Sequence, residues 1–165
     1  YNDLVRHTGA FAPIQKSFEA IGFAKVSASA KEAFKVGYLK KGRDQIIMNV
    51  DQQITSAKAE IINMANDYAV EEKPLLNLVG QSGRLVLDDF IDDKVRTGFI
   101  TEHDGLIGKK ITHVLSGGDI ATPSRAVTVE EILNLEAEAF LSLCGEEKTQ
   151  ARIEHMLMKN KPLRN

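Results

Sequence analysis

The feature of this sequence that most limits its fold is the helical spacing of its apolar residues. In the clearest segment, residues 50–68, apolar positions follow one another at intervals of three and four, with polar residues between them. The members of this stripe are Val50, Ile54, Ala57, Ile61, Ala65 and Tyr68. Such spacing places the apolar side chains on one face, so the segment is predicted to form an amphipathic helix.

Start and stop signals surround two other helical segments. Ser29 and Thr128 each stand three residues before a glutamate, Glu32 and Glu131, which is the spacing of a capping box. Gly37 follows the first of these segments, and glycine commonly ends helices because it adopts the left-handed conformation without strain. We therefore expect a short helix between Ser29 and Gly37 and a longer helix after Thr128.

Four further helices are expected from the apolar spacing and from the glycines that end it. They are a stripe of Ile14, Phe18 and Ile21 behind Pro13, the segment 85–95 ended by Gly98, a helix from Thr101 to the pair Gly117-Gly118, and a last helix with Ile153, Met156 and Leu157. Strand signals are nearly absent, residues 45–48 being the only short apolar run of strand-like composition. The sequence therefore predicts an all-α fold, a bundle of about six or seven helices.

Two features of this bundle are predicted in more detail. The helix after Thr128 has only a narrow polar stripe, so most of its surface should be covered by other groups. Pro74 and Gly80 interrupt two different helical patterns within residues 69–82, so this loop is the expected boundary between two parts of the chain. We predict a division into residues 1–70 and residues 71–165, both helical.

Charge and cysteine content exclude several classes of protein. The 21 Lys and Arg against 23 Asp and Glu give a net charge of −2, so there is no basic field to hold nucleic acid or an anionic membrane. One cysteine cannot form an internal disulfide, and no Cys/His cluster has zinc-ligand spacing.

No apolar run approaches the roughly 20 residues that span a bilayer, and no signal peptide opens the chain. A cytoplasmic protein is predicted. Its first residue, Tyr1, is compatible with a piece of a longer chain.

Two segments are candidates for chemistry. Residues 116–121, Ser-Gly-Gly-Asp-Ile-Ala, form a glycine-rich turn whose N–H groups could stabilise an oxyanion, but we favour helix termination because the glycines follow a helix. The acidic run 88–93 could hold a hard cation or supply paired carboxylates. Its carboxylates alternate with Phe90 and Ile91, which favours a solvated helix face.

Single reactive side chains give weak signals. Of the four histidines, His7, His103, His113 and His155, none has a Ser, Cys or Asp at a spacing that suggests a catalytic triad. His113 and His155 lie near helix ends, where the cationic form is favoured. Cys144 ends an apolar stretch, so we expect a buried, inert thiol rather than a nucleophile.

Phosphate-binding signals are limited to the C-terminal charges. Neither GxGxxG nor GxxxxGK[ST] occurs, so the sequence lacks the turns that recognise a nicotinamide cofactor or a nucleotide. Five basic residues lie near the C-terminus: Lys148, Arg152, Lys159, Lys161 and Arg164. They could contact a phosphate or an acidic neighbour, but favourable charge at a helix end and a solvated tail are the commoner explanation.

Two stretches resemble a known enzyme family. Residues 23–39, FAKVSASAKEAFKVGYL, look like the crotonase-fold segment in which an A-x-E-A-x-x-x-G-(L/Y) helix follows the active-site half of an enoyl-CoA hydratase. The second stretch is more specific, with EHD at 102–104, HVLSGGD at 113–119, LEAEAFLSLCGE at 135–146 and KPLRN at 161–165. It resembles the C-terminal end of bacterial fused 3-hydroxyacyl-CoA dehydrogenase/enoyl-CoA hydratase proteins of fatty-acid β-oxidation.

This resemblance implies a place in a larger enzyme. In the family the dehydrogenase part comes first and binds NAD, and the crotonase part follows. Residues 1–70 would be the tail end of the crotonase-like part, and residues 71–165 a C-terminal helical domain. The family's oxyanion glycines precede the helix at 30–39, so no residue of this chain is expected to be catalytic, to bind a cofactor or to ligate a metal.

The resemblance also implies partners. The chain would contact the rest of the parent enzyme, meet acyl-CoA only through that parent, and cover or join neighbouring parts through exposed apolar faces. Self-association of the isolated piece is a further expectation, because those faces need cover. The alternative hypothesis is a stand-alone helical module for protein interaction that shares only the pattern.

Overall fold

The computed structural model describes residues 11–70 and 72–165. Within these ranges the chain forms seven α-helices, a single 3₁₀ turn and two short strands. The helices are α1 (Ala12–Gly22), α2 (Ala30–Val36), α3 (Gln53–Ala65, behind a 3₁₀ turn at Val50–Gln52), α4 (Gly80–Arg96), α5 (Glu102–Ser116), α6 (Val129–Cys144) and α7 (Glu147–Lys159). The strands are β1 (Leu75–Leu76) and β2 (Val127–Thr128), paired antiparallel. The predicted all-α bundle is confirmed.

The chain divides into two compact units. The larger unit contains the described residues up to Ala24 together with Lys73–Asn165, and the smaller unit is Lys25–Glu72. Helix α1 therefore belongs with α4 to α7, and α2 and α3 form the smaller unit. The predicted assignment of residues 1–70 to the end of a crotonase-like part stays a prediction.

Side-chain caps fix the helix starts where the sequence predicts them. The Thr101 hydroxyl accepts the N–H of Asp104 at 3.1 Å, and the Asp104 carboxylate accepts the N–H of Thr101 at 3.0 Å. Thr128 and Glu131 exchange the same pair of bonds at 3.1 and 2.8 Å, which starts α6. At Ser29 the hydroxyl accepts the Glu32 N–H at 3.1 Å. The caps predicted at Ser29 and Thr128 and the helix start predicted at Thr101 are confirmed, because each needs only residues close in sequence.

The core of the larger unit lies where α4 and α5 meet. Ile91 and Leu87 of α4 are almost fully buried, at 1% and 2% exposure. Helix α5 presents Gly105 and Gly108 to them: a Cβ added at Gly105 would lie 2.6 Å from a methyl of Val95, and one at Gly108 would lie 3.1 Å from Ile91 Cδ1. The two helices pack too closely for larger side chains at these positions.

Helix α1 packs on this pair through the predicted apolar stripe. Ile14 and Phe18 are buried, whereas Ile21, the third member, is exposed. The ring of Phe18 meets that of Phe90 edge to face, with 6.3 Å between centroids and 86° between planes, a favourable aromatic geometry. The stripe therefore closes one side of the core.

The observed elements differ from the predicted ones in two places, the start of α4 and the pair of short strands. Helix α4 begins at Gly80 rather than near residue 85, because its first turn carries almost no apolar side chain that could mark it. Residues 45–48 form no strand. The strands lie instead at β1 and β2, where Leu76 pairs with Val127 across some fifty residues of sequence, and two-residue strands are too short to show an alternating pattern.

Helix α6 is less covered than its composition predicts. Ala139 is its one buried residue, while Leu133, Phe140 and Leu141 are more than half exposed. Within the described residues, the prediction that most of its surface is covered is therefore not met. Cys144, at its end, is half-buried rather than buried.

The smaller unit also exposes most of its apolar side chains. Ala33 is its only buried apolar residue among those described, and the Tyr38 hydroxyl donates to the carbonyl of Lys25. The predicted amphipathic helix is present as α3, but Ile54 and Ile61 on its apolar stripe are 80% and 66% exposed. Tyr68 lies beyond the end of α3 and is exposed as well.

The described helices are all too short or too polar to cross a membrane.

Candidate functional site

The glycine-rich turn at residues 116–121 ends α5. Gly117 and Gly118 have φ angles of +85° and +57°, the left-handed conformation that glycine adopts without strain. The N–H of Gly117 donates to Val114 at 3.0 Å, and that of Gly118 donates to His113 at 2.7 Å. Both N–H groups donate to carbonyls of the last turn of α5, so helix termination, the favoured interpretation of this turn, is confirmed.

The carboxylates of the acidic run are held by partners on α4 and α5. Asp88 accepts from the hydroxyl of the fully buried Thr112 at 2.5 Å. Asp92 pairs with Lys109 at 2.6 Å across the two helices. Among the described residues, no group of three or more His, Cys, Asp or Glu side chains could hold a metal ion. The run thus joins α4 to α5 through part of its charge rather than being only a solvated face.

Each described histidine makes a structural contact, and His7 lies outside the described residues. Arg84 Nη1 lies 3.0 Å from His113 Nδ1. His113 lies in the last turn of α5, and the expectation that the helix end favours its cationic form stays a prediction. His155 Nδ1 contacts the carbonyl of Lys161 at 2.8 Å, close to the end of α7.

The densest polar cluster joins α5, α7 and the C-terminal tail. Arg152 Nη1 of α7 donates to Asp104 Oδ1 of α5 at 2.6 Å, and Arg152 Nε donates to Asn165 Oδ1 at 2.7 Å. The Asn165 amide donates in turn to the carbonyl of Lys148 at 3.1 Å. We call Asp104, His103, Thr149, Arg152 and Asn165 the α5–α7 junction. It joins residues that lie between positions 103 and 165 of the sequence.

Burial and charge set the protonation of this junction. Burial lowers the pKa of His103, and the cations Arg152 and Lys148 lower it further. Its Nε2 lies 2.9 Å from the Thr149 hydroxyl. Burial raises the pKa of Asp104, but hydrogen bonds from Arg152 and Thr101 outweigh that effect, so the pKa lies below its ordinary value. Both side chains are bound by partners within the junction and hold α5 to α7.

A cleft of about 520 Å³ lies beside this junction, between α1, α4, α5 and the C-terminal tail. Its wall contains four phenylalanines, Phe18, Phe23, Phe90 and Phe99, together with the cations Lys94, Arg152 and Arg164. We call it the aromatic cleft. Several aromatic rings and several cations therefore come together in this cavity.

Lys94 occupies a defined position in the wall of the aromatic cleft. Its Nζ lies 5.1 Å from the centroid of the Phe90 ring and 5.4 Å from that of Phe99, within the range of cation–π attraction. None of the described carboxylates forms an ion pair with it. No local pattern predicts this arrangement, because Phe99 lies beyond the end of the helix that carries Lys94 and Phe90.

The basic C-terminal residues divide into two groups. Arg152 is largely buried and is bound by Asp104 and Asn165, so the predicted solvated charge is wrong for this residue. Lys148, Lys159, Lys161 and Arg164 are exposed, as that prediction has them. No local signal marks Arg152, because its partners lie 48 and 13 residues away.

A second depression, of about 660 Å³, lies between α5, α6 and the end of α1 and is mostly apolar. Ile111, Leu115 and Phe140 are among its lining residues. Leu133 and Phe140 of α6, both more than half exposed, line it and add to the apolar surface of the larger unit. Surfaces of this kind usually contact another protein or another part of the same protein.

The sequence of one curated protein aligns with most of this chain. The chain is 42% identical over 153 residues to a protein of Bacillus subtilis (strain 168) named "Probable 3-hydroxyacyl-CoA dehydrogenase". The match includes 91% of this chain and 19% of that protein, so the chain spans about a fifth of the length of its relative. No protein-family model matches the chain, and no solved structure matches it. The predicted resemblance to a 3-hydroxyacyl-CoA dehydrogenase is confirmed, and its crotonase part stays a prediction.

Proposed function

We propose that this chain is the C-terminal helical part of a 3-hydroxyacyl-CoA dehydrogenase that also carries an enoyl-CoA hydratase, or crotonase, part. It covers or assembles the crotonase part and does not catalyse a reaction alone. The observation that carries this proposal is the 42% identity over 153 residues to a segment of a much longer dehydrogenase. Fatty-acid β-oxidation in the cytoplasm is the corresponding process and place.

The exposed apolar surface supports an assembling role. Large apolar side chains of α6 and α3, among them Phe140, Leu141 and Ile54, are more than half exposed. At about 25 cal/mol for each Å² of apolar surface, covering several such side chains would stabilise an assembly substantially. The rest of the parent enzyme is the proposed partner, and self-association is the proposed behaviour of the piece by itself.

The reactive parts are assigned to other segments of the parent. NAD binding needs a glycine-rich turn that opens a helix and points its N–H groups at a pyrophosphate. The glycines at 117 and 118 end a helix, and their N–H groups donate to carbonyls of that helix. The described residues therefore do not fit that cofactor. We place NAD in the dehydrogenase part and the acyl-CoA thioester in the crotonase core.

An activity assay tests the proposed division of labour. The purified 165-residue chain should neither hydrate crotonyl-CoA nor reduce NAD with a 3-hydroxyacyl-CoA. Measurable turnover in either assay would show that a catalytic site lies within these residues. The reading frame upstream of Tyr1 is the second test: a glycine-rich NAD fingerprint followed by crotonase strands is expected, whereas an initiator Met next to Tyr1 would favour the stand-alone interaction module.

A surface variant tests the assembling role directly. Phe140→Asp adds a charge to the exposed surface of α6 without removing a buried contact. Sedimentation velocity of the chain should show less self-association for this variant than for wild type. The control is Glu138→Asp, a conservative change at an exposed position of the same helix. Equal sedimentation of all three proteins would remove α6 from the proposed interface.

A further inference from the structure

The aromatic cleft contains cations that the described chain does not neutralise. Lys94 and Arg164 both line it, and neither forms an ion pair with a described carboxylate. Arg152 differs, because Asp104 and Asn165 satisfy its guanidinium. Two cations of the cleft are therefore left to interact with a group from outside.

Lys94 is partly buried rather than extended into solvent. Phe90 and Phe99 flank its ammonium group at 5.1 and 5.4 Å, so part of its hydration shell is replaced by aromatic rings. A partly dehydrated cation gains more from a carboxylate than a fully hydrated one does, because the local dielectric is lower. The position is thus favourable for an anionic group.

The rest of the cleft suits an apolar body. Ile91 and Phe18 in its lining are 1% and 4% exposed, and Ile107 and Ile111 line it as well. Its volume of about 520 Å³ lies within the range of small-molecule sites, about 300–1,000 Å³. Apolar walls with a few convergent polar groups are the usual composition of such sites.

We propose that the aromatic cleft binds an amphipathic carboxylate, of which a medium-chain fatty acid is the simplest example. Its carboxylate contacts Lys94, and its hydrocarbon chain lies along Phe18, Phe90 and Ile107. A polypeptide segment would fill an apolar cleft equally well but would not need an unpaired cation between two rings. The proposal stands on the cleft alone and does not depend on the function proposed above.

Calorimetric titration of the 165-residue chain with decanoate and with 1-decanol tests this site. Wild type should bind decanoate with measurable heat and bind the uncharged alcohol at least about tenfold more weakly. Lys94→Met keeps an apolar side chain of similar length but removes the charge. It should weaken decanoate binding about tenfold and leave decanol binding unchanged. Lys159→Met, an exposed lysine outside the cleft, is the matched control and should bind as wild type does.

A second variant tests the apolar wall. Phe99 is 66% exposed, so Phe99→Ala should leave the helix content by circular dichroism unchanged. This variant should weaken the binding of both decanoate and decanol. Absence of decanoate binding to wild type, or equal binding by Lys94→Met and Lys159→Met, would overturn the proposal. The first of these results is also the one expected if a polypeptide segment fills the cleft.

Discussion

Helices α4 and α6 belong to the same unit, and both carry apolar stripes, yet they differ in what surrounds them. Leu87 and Ile91 of α4 are almost fully buried, whereas Leu133 and Leu141 of α6 are more than half exposed. Glycines on α5 let α4 pack closely against that helix, and an ion pair between Asp92 and Lys109 joins the two, whereas Ala139 is the one buried residue of α6. Apolar composition thus identifies a helix that needs a partner, but it does not say whether that partner lies in the same chain.

Two leucine truncations give the sharpest test of this comparison. Leu87→Ala should lower the free energy of unfolding by about 3 kcal/mol, because it removes a buried side chain and leaves a cavity. Leu141→Ala should change it by less than about 0.5 kcal/mol, because Leu141 is already exposed. Urea unfolding followed by circular dichroism measures both values. Equal losses would mean that α6 is packed in solution.

The α5–α7 junction should come next in size. Arg152→Met removes the bonds to Asp104 and Asn165, and we expect a loss of about 2 kcal/mol because a largely buried carboxylate is left without its cation. The matched control is Arg96→Met, whose ion pair with Asp93 is exposed and should contribute less than about 0.5 kcal/mol. A similar small loss for both variants would contradict a structural role of the junction.

The cap of α6 should contribute less again. Thr128→Ala removes the hydroxyl that accepts the Glu131 N–H, and such caps are typically worth about 1 kcal/mol. Because packing covers little of α6, we expect the loss to appear as fraying of its first turn in amide hydrogen exchange. Thr128→Ser keeps the hydroxyl and should behave as wild type does. Unchanged exchange in the alanine variant would show that packing, rather than the cap, fixes this end.

The smallest expected effect is a dependence of stability on pH. Burial lowers the pKa of His103, so below about pH 6.5 the unfolded chain binds more protons than the folded chain. The contribution of His103 is complete above that pH and is lost as the pH falls through the lower folded pKa. Urea midpoints measured between pH 8 and pH 5 should fall more for wild type than for His103→Gln. Parallel curves would show that His103 does not report on folding.

Sequence reasoning succeeded where one stretch of chain determines the structure. The cap at Thr128, the helix start at Thr101 and the helix end at Gly117 depend on neighbours within a few residues, and the sequence predicts all three. The pairing of β1 with β2 and the hydrogen bond from Arg152 to Asp104 join residues that are distant in sequence, and no local pattern predicts them. The aromatic cleft was missed for the same reason, since its walls come from four separate segments.

The glycines at 105 and 108 have a consequence for how the larger unit folds. Each glycine inside a helix costs about 1 kcal/mol relative to alanine, so α5 by itself is a poor helix. The packing of α4 against the backbone at these two glycines offsets this loss of helix stability. Helices α4 and α5 should therefore form together during folding, as one cooperative step, and separate together when the unit opens.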